Sequence, residues 1–113
     1  MQTRSLGGNQ GALYRSQAVL FANDIIERMR VNRVQSRLVP SNYTIAVGAA
    51  PAGTLPQPAL SDLQDWKAEL ANLPAGDGSV AVSTPSTGAI LAVVIVQWDE
   101  KGTVNTIRVD TQL

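Results

Sequence analysis

The feature that most constrains the fold is the stretch 9–33, which contains no proline and, after Gly11, no glycine. At about 100° per residue its apolar side chains gather on one side of a single amphipathic helix. Burying about seven such side chains, at roughly 1.5–3 kcal/mol each, outweighs helix propensity, so the rest of the chain must cover this stripe. The stripe consists of Tyr14, Ala18, Val19, Phe21, Ala22, Ile25, Ile26 and Met29.

Two leucines break this pattern on the opposite side of the helix. Leu13 and Leu20 are seven residues apart, with Gln17 between them. A helix that is apolar on two separate sides either lies deep in a core or contacts something on its second side. We therefore treat Leu13, Gln17 and Leu20 as a candidate protein-interaction site. The alternative is two scattered exposed leucines, which are common on protein surfaces.

Three stretches of the sequence carry a family pattern. They are R-S-Q-A at 15–18 with R-M-R at 28–30, then D-L-Q-D-W-K at 62–67, and finally V-Q-W-D at 96–99. The first resembles the lower part of the long N-terminal helix of type IV pilus minor pilins, and PilV-like assembly proteins are the most similar subtype. The resemblance is strong over residues 9–33 and loose over 60–73 and 90–110.

The resemblance implies a structural role and no catalysis. It implies other minor pilins and the major pilin as partners, in a complex that starts assembly and lies at the filament tip. Pilins open with a basic leader and an apolar membrane helix, and the residues at the start of this sequence show neither. The resemblance then implies a soluble fragment. The parent protein would be held in the inner membrane by the missing helix, with this domain in the periplasm and later on the pilus.

Composition narrows the possible functions further. A chain of 113 residues with 44% apolar residues is one globular domain, 1–113. Its longest apolar run, residues 89–96, is far shorter than the ~20 residues that span a bilayer. The sequence has no histidine and no cysteine, which removes the commonest general base and the commonest metal ligands. We therefore expect no cofactor, no metal, no small-molecule substrate and no enzymatic activity.

The remaining elements are predicted from local patterns. Residues 1–8 are a flexible lead-in, 9–35 are the main helix and 43–111 form a sheet region. Alternation predicts strands at 43–47, 79–83, 90–98 and 103–111, and Gly102 is expected to take a positive φ in the last connection. A second helix is predicted at 61–73, with Ser61 and Gln64 as a capping box. The prediction is an α+β, pilin-like fold, in which the long helix packs on an antiparallel sheet of about four strands beside the short helix.

Two groups of charged residues admit more than one interpretation. Asp62, Asp65 and Glu69 would share one face of the second helix, and we interpret them as a solvated face rather than as catalytic carboxylates. Four arginines lie close together at the C-terminal end of the first helix, where positive charges interact favourably with the helix dipole. Their functional alternative is an anion or DNA site at a pilus tip, a use that the zero net charge of the chain does not favour. The four are Arg28, Arg30, Arg33 and Arg37.

A further alternative leaves the fold unchanged. A pseudopilin of a type II secretion system would share the fold and would also assemble through a complex at the tip of its filament. The residues of this sequence do not separate the two.

Overall fold

The computed structural model describes residues 2–32, 43–51, 53–86 and 89–113. Within these ranges, two helices and one antiparallel sheet follow one another, which confirms the predicted α+β class. The helices are α1 (Gln2–Val31) and α2 (Ala59–Leu70), and the strands are β1 (Asp77–Ser86), β2 (Ala89–Glu100) and β3 (Thr103–Gln112). The sheet has the order β1-β2-β3, so β2 is its central strand.

Helix α1 is longer at its start than the sequence pattern indicated. It begins at Gln2, so the segment predicted as a flexible lead-in continues the helix from residue 2. A helix that is already nucleated extends at little cost, and no proline interrupts residues 2–31. The helix ends at Val31, and the Asn32 N–H donates to the Arg28 carbonyl at 3.1 Å. The predicted end at 35 falls outside the described residues.

The core lies between α1, α2 and one face of the sheet. Ala18, Ala22, Ile25 and Met29 of the predicted stripe are fully buried, whereas Val19 is exposed. From α2, Leu63, Trp66 and Leu70 join this core, and the Trp66 indole N–H donates to the Phe21 carbonyl at 2.8 Å. The sheet contributes alternate residues of its central strand, Ala92, Val94, Val96 and Trp98.

Among the described residues the sheet has three strands, where about four were predicted. Residues 43–47 make a single bridge, in which Ile45 and Val80 exchange backbone hydrogen bonds of 3.0 and 2.9 Å. The chain then turns at once, because Gly48 takes a φ of 81° and donates its N–H to the Asp77 carboxylate at 2.6 Å. Alternation alone could not reveal this side-chain contact, which stops the ladder after one pair.

The start of α2 also differs from the prediction. The helix begins at Ala59, with Pro58 at the N-cap position and no side-chain cap. Ser61 lies inside the first turn, where its hydroxyl donates to the Pro58 carbonyl at 3.1 Å. The Ser61 N–H donates instead to the Gln57 side-chain oxygen at 3.1 Å. Gln57 therefore satisfies a free N–H group that the capping box was expected to satisfy.

The connection between β2 and β3 is tighter than the predicted four residues. Glu100 pairs with Thr103, which leaves a two-residue loop. Lys101 and Gly102 both take a positive φ, 54° and 84°, as a loop that follows the twist of a hairpin requires. The expectation for Gly102 is confirmed.

Candidate interaction surface on helix α1

The side of α1 that faces away from the sheet carries exposed apolar residues. Leu13 is 54% exposed and Leu20 is 66% exposed, and Gln17 between them is half-buried. Val31 lies on the same line of the helix and is 88% exposed. At 3.6 residues per turn, its distance of 18 residues from Leu13 is five whole turns. We call Leu13, Gln17, Leu20 and Val31 the α1 ridge.

Sequence reasoning missed Val31 as a member of this surface. It stands at the end of the helix among arginines, and the pattern there was dominated by charge. The helical spacing from Leu13 was the available signal, and it required knowing that the helix continues without a kink as far as Val31.

Arg28 separates the ridge from the core and is held by carboxylates from both helices. Its guanidinium contacts Asp24 at 3.2 Å on α1, then Asp62 at 3.2 Å, Asp65 at 3.4 Å and Glu69 at 3.6 Å on α2. Burial alone would lower the pKa of Arg28, but these acidic neighbours raise it overall. The α2 face that was predicted to be solvated therefore packs against Arg28 and links the two helices.

Tyr43 joins this cluster from the segment that follows α1. Its hydroxyl donates to the Asp62 carboxylate at 2.5 Å and accepts from the Asn32 side-chain amide at 3.1 Å. Burial, reinforced by the hydrogen bond to Asp62, raises the pKa of Tyr43 from 10.0 to about 12. The cluster thus fastens residue 43 to both helices at the end of α1.

The two described arginines of the predicted cluster, Arg28 and Arg30, make separate contacts. Arg28 faces α2, whereas Arg30 reaches β3 and donates to the Thr111 hydroxyl at 2.8 Å. Arg30 also lies 3.8 Å from Glu27. Arg33 and Arg37 lie outside the described residues. The two described arginines therefore point to different sides of α1.

A second polar cluster lies on another face of α2, around Lys67. The Lys67 ammonium contacts the Asp77 carboxylate at 2.5 Å and the carbonyls of Ala46 and Gly78 at 3.1 and 2.8 Å. Burial opposes ionisation of Asp77, but hydrogen bonds from Lys67 and two backbone N–H groups hold its pKa below the ordinary value. These groups are paired within the fold, although an open groove of about 490 Å³ runs beside them. The cluster therefore has a structural role, because it ties α2 to the start of β1 and to residue 46.

Two further observations limit the chemistry of the described residues. Within 2–32, 43–51, 53–86 and 89–113, histidine, cysteine and acidic side chains form no group suited to a metal ion. In the same ranges, neither helix is both long enough and apolar enough to cross a bilayer.

Comparison with known proteins points in one direction. No curated protein and no solved structure matches the chain. Residues 1–55 match the family model called Tt1218-like, which is described as Type IV pilin Tt1218. The match covers all of α1 and the segment that pairs with β1. Together with the α+β architecture, this similarity over residues 1–55 supports a type IV pilin.

Proposed function

We propose that the chain is a structural minor pilin of the PilV-like subtype. It takes part in initiating or capping type IV pilus assembly through a complex with other minor pilins and with the major pilin. In this proposal the parent protein resides in the inner membrane with this domain in the periplasm, and it reaches the cell surface as part of the pilus. The observation that carries the proposal is the α1 ridge.

The ridge supports an assembly role because its two leucines and its valine are exposed and lie outside the domain's own core. Leu13 and Leu20 point away from the sheet that covers the opposite side of the helix. Covering one leucine side chain in an interface contributes roughly 1.5–3 kcal/mol. Two leucines and a valine on one rigid helix therefore supply a useful share of an association free energy, at no conformational cost to the domain.

The test is a double substitution on the ridge. Leu13→Glu with Leu20→Glu, made in the full-length protein of a piliated host lacking its own copy, should abolish surface pili or reduce them severely. The matched control is Ser16→Glu with Asn23→Glu, since both residues are exposed, seven apart and off the ridge. Circular dichroism and thermal unfolding of the purified domains should show the wild-type fold in both variants. Normal piliation by a correctly folded ridge variant would refute the assembly role.

The alternatives predict different partners. A type II secretion pseudopilin would be co-purified with secretion pseudopilins rather than with pilus subunits when the domain is used as bait. A DNA-binding tip module would bind short duplex DNA with strong salt dependence. This last alternative has little support from Arg28, whose guanidinium is surrounded by four carboxylates.

A further inference from the structure

We propose that the α1 ridge and the acidic surface beside it dock one partner, an amphipathic helix whose apolar stripe runs into basic residues. The inference rests on the proposed function, because it names the chemistry of the partner that the ridge would bind.

The ridge and the acidic residues lie on one line of α1. Between Leu20 and Val31, the positions on this line are Asp24 and Glu27. At about 100° per residue, all of them fall within roughly 40° of the line through Leu13. From Leu13 to Val31 the line is about 27 Å long, which is the length of a partner helix of five turns. A helix laid along it would meet apolar side chains first and carboxylates afterwards.

The charge of this region is one-sided although the whole chain is neutral. Four carboxylates surround Arg28, and Glu27 lies beside them on α1. We call these six residues the acidic patch: Asp24, Glu27, Asp62, Asp65, Glu69 and Arg28. Counting Arg28 and also Arg30 against the five carboxylates leaves a formal charge of −3. Glu27 and Asp65 have side chains that are 71% and 64% exposed, so both remain accessible to a partner although each also contacts an arginine.

This excess specifies the charge of the occupant. A partner with acidic residues after its apolar stripe would be repelled from the patch. A neutral partner would desolvate Glu27 and Asp65, each of which has one long arginine contact in the fold, at 3.8 and 3.4 Å, and would leave the excess negative charge of the patch uncompensated. Basic residues complement both carboxylates and would also steer the encounter. The same excess disfavours a nucleic-acid phosphate backbone at this surface.

The surface near Val31 adds a concave end to the ridge. A cavity of about 260 Å³ opens beside it and is lined by Glu27, Arg28, Val31, Asn32, Pro58 and Asp62. Such a socket suits a long basic side chain, whose methylene stem packs on Val31 and Pro58 while its charged end meets a carboxylate. The partner's basic residues would therefore be anchored as well as attracted.

Four synthetic helical peptides provide the probe for this inference. Each carries two leucines seven residues apart, and a block of three lysines stands after the leucines in one peptide and before them in another. The other two are their twins with glutamates in place of lysines. Because both helix directions are represented, the result does not depend on how the partner is oriented. Binding to the 113-residue domain is measured by fluorescence anisotropy at several salt concentrations.

We expect one of the two lysine peptides to bind at least about tenfold more tightly than its glutamate twin at low salt. The difference should shrink as salt screens the patch. Glu27→Lys with Asp65→Lys should remove or invert the preference. The matched control is Glu100→Lys with Asp110→Lys on the β2–β3 hairpin, which changes the net charge equally and should leave the preference intact. Leu13→Glu with Leu20→Glu should weaken binding of that lysine peptide.

Three results would overturn the inference. They are equal binding of lysine and glutamate twins, an unchanged preference in the Glu27→Lys, Asp65→Lys variant, and no binding by any of the four peptides. If the ridge is required for piliation while these results are found, the proposed function stands and the partner's chemistry is wrong. If the peptides behave as expected but the ridge variant assembles pili normally, the surface binds basic helices and the minor-pilin role fails.

Discussion

Helix α1 has apolar side chains on two faces, and only one of these faces is buried in the domain. Ala18, Ala22 and Ile25 are fully buried against the domain's own sheet and second helix, whereas Leu13 and Leu20 remain exposed. Ile25 is as large as the exposed leucines, so the two faces differ in what covers them and not in the size of their side chains. Helix α1 therefore carries two apolar surfaces. One makes the domain, and the other is available for association.

The largest effect on stability is expected from truncating one residue on the buried face of α1. Ile25→Ala should destabilise the domain by about 2–5 kcal/mol, because Ile25 is fully buried and the site cannot fully collapse. Denaturant unfolding followed by circular dichroism measures the loss. Ile25→Val serves as the graded control and should cost about 0.5–1.5 kcal/mol. A loss below that of the valine variant would show that α1 is not packed as described.

The next prediction concerns Tyr43, whose hydroxyl is hydrogen-bonded to Asp62 of α2 and to Asn32 just after α1. Its pKa is raised to about 12, so the folded chain keeps the phenol proton between pH 10 and 12 while the unfolded chain releases it. The free energy of unfolding should therefore fall as pH rises through this window, by about 2 kcal/mol for a pKa change of this size.

Tyr43→Phe isolates this effect from other groups that titrate at high pH. The variant should lose part of its stability at neutral pH, because Asp62 loses a hydrogen-bond donor. The difference between wild type and variant should then narrow as pH rises from 10 to 12. A difference that stays constant across this range, or a tyrosine absorbance titration complete near pH 10, would contradict the prediction.

A smaller effect is expected from the arginine that separates the two faces. Arg28→Met leaves four carboxylates close together without their cation. It should destabilise the domain by about 1–2 kcal/mol at low salt, and less at high salt, because repulsion between partly exposed carboxylates is screened. Arg30→Met, whose guanidinium contacts Thr111 and Glu27, is the comparison variant and should change stability less. Equal losses in the two variants would mean that the Arg28 cluster is not the stronger link.

The sequence predicted the elements with strong periodicity and missed those decided by single side chains. The helix, its buried stripe and the hairpin with Gly102 follow from patterns that many residues share, so one exception does not hide them. The strand at 43–47 and the start of α2 were different. There the outcome depends on Asp77 binding the Gly48 N–H and on Gln57 binding the Ser61 N–H, contacts that no local pattern contains.

The α1 ridge could be predicted in part, because helical spacing is a local property of the sequence, whereas the surroundings of Arg28 could not. Leu13, Gln17 and Leu20 could be located from helical spacing, which is a local property, and the structure shows both leucines exposed. The surroundings of Arg28 were not predictable, because Asp62, Asp65 and Glu69 are more than 30 residues away along the chain. Sequence spacing placed the three carboxylates on one face of α2, but the orientation of that face is set by the packing of Leu63, Trp66 and Leu70.

The smallest expected effect on stability belongs to the exposed face, and it is the one that tests the comparison most directly. Leu20→Ala should change the free energy of unfolding by less than about 0.5 kcal/mol. The Leu20 side chain is exposed, so removing it creates no cavity in the core. The same substitution should weaken any association made through the ridge, since the lost contact area is not replaced. Denaturant unfolding and co-purification with partner subunits measure the two quantities on one variant. If Leu20→Ala instead destabilised the domain as much as Ile25→Ala, the ridge would belong to the core, and its exposure would say nothing about a partner.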